Sequence, residues 1–287
     1  DVCSSDLAGI WGAVILTLLS AWASGPWLHG AIRFLIGWAS GWAMVLVAAW
    51  SNEQLHRHGR AGLSAAVFAG PGCGIFVSGL LGVALHTLQV SAGLAWAAYG
   101  ALALLLVALI ARNLPRRGEL HRPDQAPEPL VLDRNLKRLV LSYSLAGFGY
   151  ILPATFLSQM AAARFPDGVF AQFVWPIFGG AAMVGILLGI LTRHLGRSHV
   201  RLALVLWAQA LGVFAAALLP GFSGLLVGAL LVGGGFLSVV QLSLLCAREL
   251  APNHLRYMAG LLTTGYAVGQ LVGPLLSFLS TAFLHRL

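Results

Sequence analysis

Charge is scarce in this chain. Asp, Glu, Lys and Arg make 9% of its 287 residues, and none of the Asp or Glu residues falls inside a long apolar stretch. Cysteine is scarcer still. Cys3, Cys73 and Cys246 lie far apart, which excludes a disulfide framework and a C-x-x-C metal site. There is no H-E-x-x-H, no G-x-S-x-G, no phosphate-binding loop and no Cys/His cluster. No catalytic residue, metal or cofactor is therefore expected, and an enzyme, including one that hydrolyses ATP, is not. The net charge of +8 and pI near 10.3 come without a basic stripe interleaved with aromatics, so they call for no nucleic acid. The polar start Asp1–Asp6 has no basic stretch ahead of a short apolar core and does not read as a signal peptide.

What the chain has in abundance is apolar length. Hydrophobic residues make 59% and mean hydropathy is +0.85. Nine apolar runs follow one another: 7–24, 27–50, 61–86, 92–111, 139–160, 168–191, 202–219, 224–247 and 258–284. Each is close to or above the ~20 residues a helix needs to cross a hydrocarbon layer of about 30 Å. The expected fold is an all-α polytopic membrane protein with about nine transmembrane helices. The basic residues sort by connection. Arg57 and Arg60, the seven from Arg112 to Arg138, then Arg193, Arg197, Arg201, Arg248 and Arg256 fall in alternate connections. The opposite side carries only Arg164 and Arg286, and Arg33 lies within the second run. This bias makes the basic side cytoplasmic, so the first run starts inside and the last ends outside. Trp27, Trp50 and Trp96 stand near run ends, where amphipathic rings prefer the interface.

The connection 112–138 is the one long one. Pro115, Pro123, Pro127 and Pro129 with mixed charge mark it as a solvated linker. The expected organisation is an N-terminal bundle over 1–111, a cytoplasmic linker over 112–138 and a C-terminal bundle over 139–287. The two sides repeat. Glu53 and Arg60 recur as Glu249 and Arg256, Gly62-Leu63 as Gly260-Leu261, Phe68-Ala69 as Tyr266-Ala267 and Gly37 as Gly235, at nearly one shift. A constant shift across two helices and their loop points to a parallel internal repeat. Completing both halves at that shift adds two helices before the chain and one after it, so the nine runs match helices 3–11 of twelve in a fragment. A native nine-helix protein is the other reading.

Two six-helix repeats joined by a basic linker resemble the major facilitator superfamily, and local patterns agree. Arg33-Phe-Leu-Ile-Gly37-Trp-Ala-Ser-Gly41 resembles the R-x3-G-x3-G element of the fourth facilitator helix, and Gly70-Pro71-Gly72-Cys73-Gly74 the Gly-Pro element of the fifth. The stretch Gly189-Ile-Leu-Thr-Arg193-His-Leu-Gly196-Arg197 is similar to the loop signature G-x3-D-R-x-G-R, with Arg193 where the Asp belongs. The paired E-x6-R elements resemble those of facilitator sugar porters. More narrowly, Gly147-Phe-Gly-Tyr150-Ile-Leu-Pro153-Ala-Thr155 and Gly265-Tyr-Ala-Val-Gly269-Gln270-Leu-Val-Gly273-Pro274 resemble the YbfB/YjiJ-type bacterial transporters.

Small residues recur every four positions at Gly70, Gly74, Ser78 and Gly82, at Ala181, Gly185 and Gly189, and at Gly265, Gly269, Gly273 and Ser277. Each set shares one helix face, where backbones can approach closely. Static packing and smooth contact between moving halves both fit; the resemblance implies that the first two sets face each other. Pro71, Gly149, Pro153 and Pro274 are expected to supply bends. Arg33 lies about 9 Å below the outer end of its run at 1.5 Å per residue. Facing a cavity and snorkelling to the interface are its two readings.

The resemblance implies a central cavity lined by Arg33, Tyr150, Thr155, Trp175, Gln241, Tyr266 and Gln270, while Gln209 falls on a peripheral helix. Interhelical hydrogen bonding is the competing account of each polar residue. Glu53, Arg60, Arg197, Glu249 and Arg256 are candidates for a cytoplasmic gate, against solvated charges that merely follow topology. The function implied is secondary active transport of a small solute across the bacterial inner membrane by alternating access. The resemblance implies a proton as coupling ion, and the Gly-Pro element efflux. The chain is expected to act as a multi-pass monomer in the lipid bilayer. A symporting importer of the same fold and a non-transporting membrane partner or sensor are the alternatives.

Overall fold

The computed structural model describes residues 2–111, 130–166 and 168–284. Among them the helices are α1 (Val2–Leu19), α2 (Pro26–Arg57), α3 (Ala69–Thr87), α4 (Ala92–Ile110), α5 (Arg134–Arg164), α6 (Val169–Leu191), α7 (Ser198–Leu218), α8 (Gly221–Leu250) and α9 (Leu255–Leu284). Short 3-10 segments lie at Ala61–Phe68 and Pro252–His254, and no strand occurs among the described residues. Seven stretches, from Ala66–Thr87 to Tyr257–Ser280, are long and apolar enough to cross a membrane, and Ala8–Leu19 is a shorter apolar helix. The fold is all-α and polytopic.

Local chemistry explains where helices depart from the apolar runs. α5 begins at Arg134, ahead of its run, because the Asp133 carboxylate accepts the Leu136 amide at 2.8 Å and caps the first turn. Residues 112–129 of the connection lie outside the described residues. The third run opens as a 3-10 segment, and Pro71 falls in the first turn of α3. A missing N–H there breaks no helical bond, so Pro71 starts a helix where a bend was expected. Pro153 and Pro274 do lie inside helices, and Pro176 adds a third position, in α6.

The chain forms two compact units, Asp1–Val67 with Leu80–Asp124 and Phe68–Gly79 with Gln125–Leu287. Phe68–Gly79, which includes the first half of α3, thus groups by contact with the later helices. In the first unit α1 packs on α2 and α4. A Cβ on Gly9 would meet the Ala39 carbonyl at 3.1 Å, one on Gly93 the Ala21 carbonyl at 2.9 Å, and one on Gly100 the Leu18 side chain.

In the second unit α5 packs on α9, and α6 and α7 pack on α8. Lipid tails are as apolar as Leu, so association relies on close packing, and side chains are missing where the helices cross. A Cβ on Gly185 would strike the Gly234 carbonyl, and one on Gly233 would sit 2.5 Å from that of Phe178. Gly265 and Gly269 would meet Ser144, and Gly273 would meet Ile151. Around these seams Leu157, Phe178, Ile186, Leu225, Met258 and Leu262 are fully buried, while Leu204, Trp207, Leu211 and Phe214 on the outer face of α7 are exposed.

The α3 register differs from the four-residue pattern. Cβ atoms on Gly70 and Gly74 would find open space among the described residues. Gly72 and Gly79 make the close contacts, Gly72 with Met183 and Leu237 and Gly79 with Pro176 at 2.9 Å. Two helical turns separate them, so they share a face that the Gly70 set does not. On α6 it is Gly179 that receives α3, at Phe76, while Gly185 is occupied by α8 and Gly189 approaches Gln241. A Cβ on Gly149 would meet no other part of the described residues within 4 Å. Substituting Gly269 or Gly185 by Val should therefore lower the thermal unfolding midpoint in detergent, at a cost of at least the ~1–3 kcal/mol typical of overpacking. Gly70→Ala, placed in open space, should leave the midpoint unchanged.

Candidate functional site

Three tyrosines converge in the second unit. Tyr143 and Tyr150 lie two turns apart on α5 and share a face with Gly147. Gly147 makes room for α9: a Cβ there would come within 2.5 Å of the Tyr266 carbonyl and 3.1 Å of its ring. The Tyr266 ring thus lies 4.6 Å from that of Tyr143 and 6.2 Å from that of Tyr150. Tyr150 stacks on Phe236 of α8 at 4.2 Å and touches Phe178 of α6, on which Trp175 stacks at 5.3 Å.

This aromatic wall carries a polar atom without a partner. The Tyr266 hydroxyl is buried with no hydrogen-bond partner among the described residues, and Tyr266 itself is only 8% exposed. Gln241 Oε1, on α8 where Gly189 of α6 approaches it, is likewise buried without a partner among the described residues. A buried hydroxyl or amide without a partner costs about 1–3 kcal/mol. The wall therefore offers hydrogen-bonding capacity to a further molecule, with apolar ring faces around it.

The other expected cavity residues scatter. Trp175 belongs to the wall through Phe178, and Gln270 is half-buried one turn beyond Tyr266. Thr155 is exposed, since five residues turn it about 140° away from Tyr150. Arg33 belongs to the first unit, where its guanidinium lies over the Trp96 ring, 5.0 Å from the centroid. The cation–π contact places the Arg33 charge on an aromatic face. Gln209, set aside on sequence grounds, is 4% exposed with both amide atoms unpartnered and its stem against Gly235. A Gln on an otherwise apolar helix was the available signal; that it turned toward a glycine was not visible.

The expected gate residues divide as well. Glu53 pairs with Arg57 at 2.5 Å, one helical turn away, and Arg60 is exposed with its backbone amide on the Leu55 carbonyl. An exposed i, i+4 pair contributes only ~0.3–0.5 kcal/mol. The Arg256 side chain lies outside the described residues. Arg197 and Glu249 do share one place, a cleft of about 270 Å³ at the turn between α6 and α7, where Arg193, Ser198 and Arg201 join them. Gly196 takes φ +73°, a left-handed turn that favours glycine. Arg197 is the N-cap of α7 and supplies no side-chain cap. The Glu249 carboxylate, in the last turn of α8, accepts the hydroxyl of Ser198, the first residue of α7. Arg201 in turn donates to the Gly189 carbonyl at 2.5 Å, near the end of α6, where a cation offsets the helix dipole.

Helices of this length, packed through glycine with an aromatic wall between them, define a polytopic membrane protein of the major facilitator type. The family described as uncharacterised MFS-type transporter YbfB matches residues 2–285, and the chain belongs to that family. It is a transporter by membership. No curated protein matches the chain.

Gln209 provides a test of the packing account. Gln209→Met keeps the length of the side chain and removes two unanswered polar atoms, so the thermal midpoint in detergent should rise. A fall would mean that the amide has a partner.

Proposed function

We propose that this protein is a secondary active transporter of the bacterial inner membrane that moves a small solute by alternating access. The carrying observation is the Tyr266 hydroxyl, buried and unanswered among the described residues within a wall of Tyr143, Tyr150, Phe236 and Trp175, with a second unanswered atom, Gln241 Oε1, on α8. Solute sites are mostly apolar with a few placed polar groups, and this set has that composition. Tyr266 and Gln241 hydrogen-bond the solute, Tyr150 and Trp175 contact it, and Gln270 flanks the site. The bundles 1–111 and 139–287, joined by 112–138, move as the two halves. Glu249 with Ser198 and Arg197 ties α8 to the start of α7 on the cytoplasmic side and acts in the inner gate. The coupling ion is the proton and the direction is efflux, the latter resting on the resemblance of Gly70-Pro71 to the Gly-Pro element.

The test is solute flux into proteoliposomes holding the full reading frame, under imposed pH gradients. Flux that follows the gradient supports proton coupling, and indifference to it removes that part. Gln241→Leu and Tyr266→Phe should each cut flux by up to about tenfold, the worth of one hydrogen bond. Their thermal midpoints should not fall. Unchanged flux in both variants would overturn the proposed site.

A further inference from the structure

We propose that the cleft between α6, α7 and α8 holds the phosphate of an anionic phospholipid headgroup. Arg193, Arg197 and Arg201 line it with Ser198, His199 and Glu249, in a volume of about 270 Å³. Positive charge is in excess there among the described residues, with three arginines against the one carboxylate of Glu249. The other described acid of the second unit, Asp133, caps α5 through the Leu136 amide. Neither Arg193 nor Arg197 has an ion-pair partner among the described residues. Arg201, although bonded to the Gly189 and Arg193 carbonyls, keeps its charge. Arg193 stands where the loop pattern this stretch resembles has an Asp, so the turn carries one acid fewer and one cation more than that pattern.

The surroundings decide between a lipid and a free phosphate. Leu245 forms part of the cleft lining. Leu191, Leu195, Val200 and Leu204 are exposed on the segments beside it, at 47–68%. A soluble anion has no use for such a border, whereas acyl chains do. Basic pockets between transmembrane helices at the membrane edge recognise phospholipid headgroups through this combination. The proposal rests on the membrane-spanning fold and not on any solute.

The experiment uses the full chain, purified in detergent and offered phosphatidylglycerol and phosphatidylcholine in equal amounts, with bound lipid counted by native mass spectrometry. The wild type should retain phosphatidylglycerol preferentially. Each positive charge removed should weaken that preference roughly fivefold, so Arg193→Gln with Arg197→Gln should nearly abolish it. Arg193→Lys with Arg197→Lys should keep it, and Arg134→Gln with Arg138→Gln, on α5 outside the cleft, should leave it at the wild-type level. If the glutamine pair does not fold, His199→Glu, which adds an anion to the cleft from an exposed position, should weaken the preference as well. Equal retention of both lipids by the wild type would overturn the proposal. So would a wild-type preference in the glutamine pair or in His199→Glu, or an equal loss in the α5 variant. Displacement of phosphatidylglycerol by inorganic phosphate would assign the cleft to a free anion and overturn the lipid reading.

Discussion

Backbone lies against backbone at Gly185 and Gly234, and the second unit depends on contacts of this kind. In water two helices can be driven together by burying Leu and Phe; in hydrocarbon such side chains gain nothing by leaving lipid, and attraction comes from dispersion at short range. Glycine shortens the range. The seams at Gly185, Gly233 and Gly269 bring carbonyls of neighbouring helices to positions that any side chain would occupy. Phe178, Leu225 and Met258 then fill the remaining volume. The tyrosine wall follows from the same constraint, because the Tyr266 ring reaches Tyr143 and Tyr150 only across the bare face of Gly147.

Charge acts at a different level. With so few acids, the chain places Asp133 and Glu249 at the starts of helices and Arg201 at the end of one. Each satisfies a backbone or hydroxyl donor, or a carbonyl, that the adjoining helix cannot. Glu249 is instructive because it accepts a hydroxyl from a helix other than its own, coupling α8 to α7 through one carboxylate. The arginines around it are left in excess, and the turn is consequently a basic edge on an apolar body.

The all-α polytopic architecture was legible in the sequence because apolar run length and the sorting of Arg and Lys are one-dimensional signals. The α9 row Gly265, Gly269 and Gly273 was legible for a similar reason: four-residue spacing fixes a face. Which face meets which helix was not. Gly72 and Gly79 carry the α3 contact that spacing assigned to Gly70 and Gly74, since the rotation of a helix about its axis is set by its neighbours. The E-x6-R pattern led from Glu53 to Arg60, yet a side chain one helical turn away, Arg57, is the nearer partner. Arg33 could be read toward a cavity or toward the interface; that its guanidinium lies over the Trp96 ring was not visible in the sequence.

The Arg201 bond to Gly189 has a consequence for how this connection can change over evolutionary time. A guanidinium anchored on α7 grips a carbonyl near the end of α6, with Gly196 turning the chain between them. The bond closes a ring from Gly189 to Arg201. A residue inserted or deleted inside it would shift the guanidinium away from the carbonyl, while a substitution at His194 or Leu195, whose side chains are not part of the bond, would leave it intact. The length of the turn, more than its lettering, is what the contact constrains.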